Sequence, residues 1–228
     1  MKILSARLNL ILHALGPCTL LADVGTDHGM LPVAAVLRGV ATRAIAADLR
    51  TDPLVGARRR IELAQVTDRV TVVQADGILP LHPYAIDAVV MAGMSAGLMI
   101  RLCAAAPQVL GRVQQLVVQP NKDGPLIRRW ALEHGWHLRD EFIVHERGRF
   151  FTVCAFKPGL GMDPAYAVSG WTQADLCTVG PHFLLRKDPT ALRWYKEQRA
   201  RLLTLVSNRV HTLRPELATW QRACDFCA

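Results

Sequence analysis

Asp23-Val24-Gly25-Thr26-Asp27-His28-Gly29 stands between two apolar runs. Thr19-Leu20-Leu21-Ala22 before it reads as a buried strand, and Met30 to Leu37 after it as a helix. Strand, glycine turn and helix make a nucleotide-binding corner, because glycine admits close backbone approach and the helix offers unpaired N–H groups. The pattern D-x-G-x-D-x-G nevertheless puts a carboxylate, Asp27, where a dinucleotide fingerprint has its second glycine. That carboxylate would repel a pyrophosphate. It suits a ligand that is cationic or rich in hydroxyls and amines.

The same alternation continues outward. Ala41 to Asp48 reads as a second strand, 52–66 as a helix and Arg69 to Asp76 as a third strand. Ile86 to Met91 is a fourth, closed by Ala92-Gly93-Met94 and followed by a helix at 96–110. Gln115 to Val118 is a fifth, closed by Gln119-Pro120-Asn121, with a helix at 123–134 behind it. Two β segments, 136–145 and 149–157, flank Arg147-Gly148, a hairpin signal. Near-continuous apolar strands alternating with helices predict an α/β fold, a mostly parallel sheet covered on both faces, with an antiparallel edge hairpin. Residues 3–15 read as an amphipathic helix rather than a signal peptide.

A Gly/Pro-rich stretch at 158–170 divides a 1–160 catalytic domain from a 161–228 helical domain. In the latter, Leu192, Tyr195, Leu202, Val206, Val210 and Leu213 form one apolar stripe. Pro215 is expected to stop that helix, with 216–226 folding back. The stripe would pack on this return helix or on another subunit, giving a monomer or weak homodimer. Arg193, Glu197 and Arg201 are spaced for i,i+4 pairing.

The chain has 228 residues, 51% of them hydrophobic, enough for a large core, and a formal charge of +8, which favours an anionic partner. It contains no apolar run of membrane-spanning length, so no membrane association is expected. Its six cysteines are scattered, which fits a reduced cytoplasmic setting; Cys18, Cys103 and Cys154 read as small core residues. Cys224 and Cys227 form one C-x-x-C without the second ligand pair a zinc site needs, so no metal is expected.

Every strand tip carries a polar or glycine residue, and ligands of parallel sheets lie beyond those tips. Asp48, some twenty residues past the corner, suits the two hydroxyls of a ribose. Asp76 can accept from the exocyclic amine of an adenine. With Asp27 tolerating an ammonium group, the set favours S-adenosylmethionine over a dinucleotide. His28 reads either as a general base or as a helix-capping or packing residue. The Gln119-Pro120-Asn121 amides either hold a planar base or stabilise their own loop.

Ser5-x-Arg7-Leu8, Ala22-Asp23-Val24-Gly25-Thr26-Asp27-His28, Leu31-Pro32, Asp76-Gly77, Ala92-Gly93-Met94, Gln119-Pro120-Asn121, Glu133-His134-Gly135-Trp136 and Gly180-Pro181 occur here in the order seen in TrmK. The chain thus resembles the bacterial tRNA (adenine-22-N1)-methyltransferases over nearly its whole length. The resemblance implies a class I, Rossmann-like methyltransferase with a C-terminal coiled-coil-like helical extension, acting on tRNA with S-adenosylmethionine. It implies that Asp23, Gly25, Thr26, Asp27 and His28 line the methionine part of the cofactor, and that Asp48 holds its ribose. Asp76 and Gly77 would border its adenine, and Ala92, Gly93 and Met94 would lie beneath its sulfonium. Gln119, Pro120 and Asn121 would face the target base, with Asp27 and Asn121 the catalytic pair. Where the family commonly has Tyr and Gly-Gly, this chain has Met30 and Ser95-Ala96, and Thr152 replaces an acid. Two other readings share the fold: a non-catalytic RNA-binding descendant, and a methyltransferase for a small molecule or protein.

Overall fold

The computed structural model describes residues 4–207 and 214–228. Seven strands form one sheet: β1 (Cys18–Val24), β2 (Ala41–Asp48), β3 (Val70–Gln74), β4 (Ala88–Ser95), β5 (Gln115–Lys122), β6 (Trp136–Glu146) and β7 (Arg149–Pro158). Their order is β3-β2-β1-β4-β5-β7-β6. β1 to β5 run parallel, and β7 enters antiparallel against β5 with β6 paired to its outer edge. The order reverses between β1 and β4, which places the crevice of the sheet at the carboxyl end of β1, where the glycine corner lies.

Helices cover both faces: α1 (Ala6–Ala14), α2 (Met30–Leu37) and α3 (Thr51–Leu63) on one, and α4 (Ala96–Ala104), α5 (Pro107–Leu110) and α6 (Gly124–Glu133) on the other. The strands alternate between the two apolar cores; Ala22 and Val24 enter one, and Leu21 enters the other. Such two-faced burial explains the unbroken apolar runs.

Three local expectations are corrected. The 96–110 helix is two helices, because Pro107 cannot continue the first and opens the second. Gln119-Pro120-Asn121 does not close β5 but lies within it. A bulge at Gly93, with φ +79°, shifts the β4–β5 register so that Met94 pairs with Pro120. Pro215 does not end the long helix but stands in the first turn of α10 (Arg214–Cys227), a position that tolerates proline.

Beyond the hairpin, α7 (Gln173–Val179), α8 (Pro181–Arg186), α9 (Pro189–Ser207) and α10 pack around a third core of Leu176, Phe183, Leu184, Tyr195, Leu202 and Trp220. Tyr195 meets Trp220 with ring centroids 5.7 Å apart, so the start of the stripe on α9 is covered by α10 of the same chain. The side chains of Val206, Val210 and Leu213 lie outside those described. Cys224 and Cys227 are buried in this third core as free thiols, while Cys18 is half-buried. Burial pushes the thiols of Cys18, Cys103 and Cys154 up to about 12, so they stay protonated as apolar fillers. Glu197 forms no ion pair among the described residues; Arg193 instead covers the Phe150 ring at 5.8 Å.

A buried ion pair joins these helices to the sheet. Arg128 of α6 and Glu141 of β6 are both fully buried, with Nη2 2.7 Å from Oε2. Arg128 also donates to the Cys177 carbonyl of α7, and Glu141 accepts from the His182 amide of α8. Arg186 Nη2 donates to the Glu141 carbonyl. Two charges alone would cost several kcal/mol to bury; here each is met by its counter-charge and by hydrogen bonds.

Candidate active site

A cleft of about 1010 Å³ opens above the carboxyl ends of β1 to β5. Its walls come from the tips of β1, β2, β3 and β4, from Asn121 of β5, from Arg7 of α1, and from Glu146, Arg147, Arg149 and Phe151 at the hairpin tip. Asp23, Gly25, Thr26, Asp27, Asp48, Asp76, Gly77, Ala92, Gly93, Met94 and Asn121 all line it.

The corner at β1 is set by backbone conformation. Gly25 has φ +76°, and a Cβ there would fall 2.3 Å from Cε of Met94. Only glycine lets the chain turn here with Met94 in place. Asp27 also takes a positive φ, 55°, which aspartate tolerates better than most side chains. Its amide points at Asp48 Oδ2, 3.4 Å away, and the Arg50 amide donates to Asp48 Oδ1 at 3.0 Å. Asp48 is thereby held buried at the end of β2 with one face on the cleft.

Asp23 is 4% exposed and accepts from the Thr26 hydroxyl at 2.6 Å. Burial pushes its carboxyl up to about 7, opposed by the Thr26 bond and reinforced by Asp48 and Asp27 nearby. A cationic group beside it would hold the carboxylate form instead.

Three sequence candidates do not line the cleft. The exposed His28 ring lies against α3, where a Cβ on Gly56 would be 2.4 Å from its Nδ1, and its Nε2 is 3.6 Å from Asp27 Oδ1. Gln119 and Pro120 are buried beneath the cleft. Gln119 Oε1 accepts from Arg7 Nη1 at 2.6 Å, and its Nε2 donates to the Pro120 carbonyl and to Asn121 Oδ1. Of the Gln119-Pro120-Asn121 stretch only Asn121 reaches the surface, its Nδ2 donating to the Gly93 carbonyl at 2.6 Å.

Sequence reasoning left the hairpin side of the cleft out of the site. Arg7 and Arg149 each lie 5.4 Å from the centroid of Phe151. The Arg7 amide donates to Glu146 Oε2 at 2.9 Å, tying the start of α1 to the hairpin. Interleaved Arg147, Arg149, Phe150 and Phe151 at a hairpin turn was the available signal, a basic–aromatic cluster of the kind that meets nucleic acid. The cleft thus has two electrostatic halves. Aspartates 23, 27, 48 and 76 occupy the strand tips, with Arg50 beside Asp48; Arg7, Arg147 and Arg149 come from α1 and the hairpin with Glu146 among them, and Arg101 from α4. Among the described residues no group of three or more His, Cys, Asp or Glu is placed to hold a metal ion.

A Rossmann-like sheet whose corner carries a carboxylate in place of a phosphate cradle defines a methyltransferase-type nucleotide site, and residues 4–154 match the methyltransferase domain family. A curated tRNA (adenine(22)-N(1))-methyltransferase of Bacillus subtilis is 31% identical over 195 residues, covering 85% of this chain and 81% of the relative. The chain belongs to this methyltransferase family. Solved structures share the fold throughout. The Bacillus subtilis M1A22 tRNA methyltransferase TrmK superposes with a TM-score of 0.86 at 24% identity, covering 98% of this chain and 100% of that one. Streptococcus pneumoniae Sp1610 in complex with S-adenosyl-L-methionine gives 0.85 at 23%, covering 97% and 100%. TrmK from M. capricolum in complex with S-adenosyl-homocysteine gives 0.81 at 17%, covering all of both chains.

Proposed function

We propose that this chain transfers a methyl group from S-adenosylmethionine to N1 of an adenine in tRNA, position 22 by likeness to its curated relative. The division of the cleft into an acidic and a basic half carries the reading: one half suits a cationic cofactor, the other a polyanionic substrate. The residues fit the cofactor. Its ammonium, ribose hydroxyls and adenine amine are all donors, and the strand tips offer four carboxylates. The volume lies at the upper end of ligand sites and leaves room for a second group beside it.

S-adenosylmethionine, when bound, supplies an electrophilic methyl group on a sulfonium. Asp48 would hold the ribose hydroxyls, Asp76 and Gly77 would border the adenine, and Asp23, Gly25, Thr26 and Asp27 the methionine part. Ala92, Gly93 and Met94 would lie beneath the sulfonium. His28 would support this corner from α3 rather than line it, and Gln119 and Pro120 would act from beneath Asn121. Neutral adenine N1 carries no proton, so its lone pair needs no general base; orientation is the main requirement. Asp27 would face the cation formed on the base. N1 is blocked in a paired or stacked base, so the target must be extruded, and the arginine wall with Phe151 would receive it.

The division at residue 160 and a cytoplasmic site of action belong to the same proposal; among the described residues no helix is long and apolar enough to cross a membrane. Cover of the start of the α9 stripe, at Tyr195 and Leu202, by α10 of the same chain favours the monomer over a homodimer. The decisive experiment is incubation with labelled S-adenosylmethionine and bulk unmodified tRNA, followed by nucleoside analysis. Labelled 1-methyladenosine is expected. RNA binding without transfer would make the chain a non-catalytic descendant, and weak, salt-insensitive RNA binding would point to another substrate class.

A further inference from the structure

Three side-chain groups between α1 and β4 form a hydrogen-bonded line with a fixed polarity. The Arg7 guanidinium can only donate, and it donates to Gln119 Oε1 at 2.6 Å. That turns Gln119 Nε2 the other way, toward the Pro120 carbonyl at 3.0 Å and Asn121 Oδ1 at 3.3 Å. Asn121 Nδ2 then faces the Gly93 carbonyl at 2.6 Å, which can only accept. A donor-only group at one end and an acceptor-only group at the other leave neither amide a satisfied alternative orientation. Gln119 has no exposed surface, so water cannot replace its partners.

The consequence falls on Asn121, which lines the cleft. Its amide retains one N–H and one oxygen lone pair. That pair of groups matches adenine, whose edges each offer a ring-nitrogen acceptor beside the N6 donor. A donor placed on N1 would tie up the lone pair that attacks the methyl group. The edge left is N6/N7. We infer that Arg7 and Gln119 are positioning residues that lock Asn121 to read the N6/N7 edge of the target adenine, leaving N1 free. This rests on the functional reading above and adds to it the means of base selection.

The test has an arm that does not need activity. In nitrogen-15 spectra, the side-chain amides of Gln119 and Asn121 are expected to be shifted, that of buried Gln119 also slowly exchanging, and Arg7→Met is expected to move both. Unmoved signals overturn the relay, whether or not the protein methylates tRNA. In the activity arm, Gln119→Glu replaces the Nε2 donor by an acceptor. It is expected to lower kcat roughly 10–100-fold, with cofactor affinity close to wild type and the melting temperature lowered by about 5 °C, as the buried acceptor left against the Pro120 carbonyl requires. Arg7→Lys, which keeps a donor-only head, is expected to retain more of kcat than Arg7→Met. Equal loss in both, or a loss confined to cofactor affinity, overturns the positioning role. Tested on the wild-type protein, tRNA carrying 7-deazaadenosine at the methylated position lacks the N7 acceptor and is expected to be methylated at least tenfold more slowly. An unchanged rate overturns the edge assignment. Absence of methyl transfer to any tRNA would instead defeat the functional reading, with the spectra still deciding the relay.

Discussion

The two halves of the cleft are built in different ways. The acidic half is made of short stretches near the carboxyl ends of β1 to β4, where local turns set the chain: Gly25 at φ +76°, Asp27 at 55°, Gly77 at 77° and the Gly93 bulge at 79°. The basic half is made of side chains brought together from opposite ends of the catalytic unit. Arg7 and Glu146, 139 residues apart in sequence, are hydrogen-bonded, and Arg7 also reaches Gln119 and Phe151. A half built from local turns should survive damage to the packing around it. A half built from long-range contacts should not.

The largest effect is expected from Arg128→Met. It leaves Glu141 charged and buried without its counter-ion, which costs about 3–5 kcal/mol of stability. Glu141 also anchors α8, so the hairpin base and the C-terminal helices loosen together. Denaturant unfolding reads the loss directly. Methylation of tRNA is expected to fall with it at a temperature where the variant remains folded, while calorimetric cofactor affinity stays within about threefold. A parallel loss of both would show that the halves are one cooperative unit and erase the contrast.

The opposite experiment is Asp48→Ala. Removing a buried carboxylate that would accept from two hydroxyls is expected to weaken cofactor binding about 100-fold, since bonds to charged groups contribute about 1.5–3 kcal/mol each. Binding of tRNA in a filter or anisotropy assay is expected to stay unchanged. Unchanged calorimetric cofactor affinity would remove Asp48 from the ribose role.

Asp23 gives the acidic half a pH signature. Its carboxyl lies near 7 rather than the ordinary 3.8 because burial disfavours the charge. Between those values the folded protein holds a proton that the unfolded chain has released. Unliganded stability therefore falls as pH rises from about 4 through 7. Cofactor binding runs the other way. A cationic ligand needs the carboxylate, so affinity is expected to drop up to about tenfold per pH unit below 7. Calorimetry in buffers of differing ionisation heat should show proton release on binding near pH 7. Asp23→Asn should bind weakly at every pH and lose the slope; a slope that persists would assign it to another group.

The contrast also explains what was legible in the sequence. The parallel sheet, its edge hairpin and the acidic half could be read because each rests on a local pattern: an apolar run, a glycine turn, an acid at a strand end. Gln119 and Pro120 carried the right motif but an unreadable orientation. The bulge at Gly93 and continuation of β5 to Lys122 bury both, and neither shows as a spacing rule. His28 stood one residue from the cleft, yet Gly56, far along the chain, leaves the space that its ring fills. Arg7 was visible only as part of a motif. Its partners lie on β5 and the hairpin, and no period in the sequence connects them.

The smallest effect should come from the rim of the basic half. Arg147 and Arg149 are exposed and form no ion pair among the described residues; Arg149 only covers Phe151. Each is free to meet a phosphate, and an exposed contact of this kind is modest at physiological ionic strength. Arg149→Ala should weaken tRNA binding about fivefold and lower the slope of log affinity against log salt by about one. Cofactor affinity should not move. Phe151→Leu separates charge from stacking: it should cost activity about as much, with the salt slope retained, because a base–aromatic contact releases no counter-ions. If Arg149→Ala leaves the slope unchanged, its guanidinium serves the Phe151 ring alone. The phosphate-gripping role then passes to Arg147, which has no ring to cover, and the double substitution should lower the slope by no more than Arg147→Ala does.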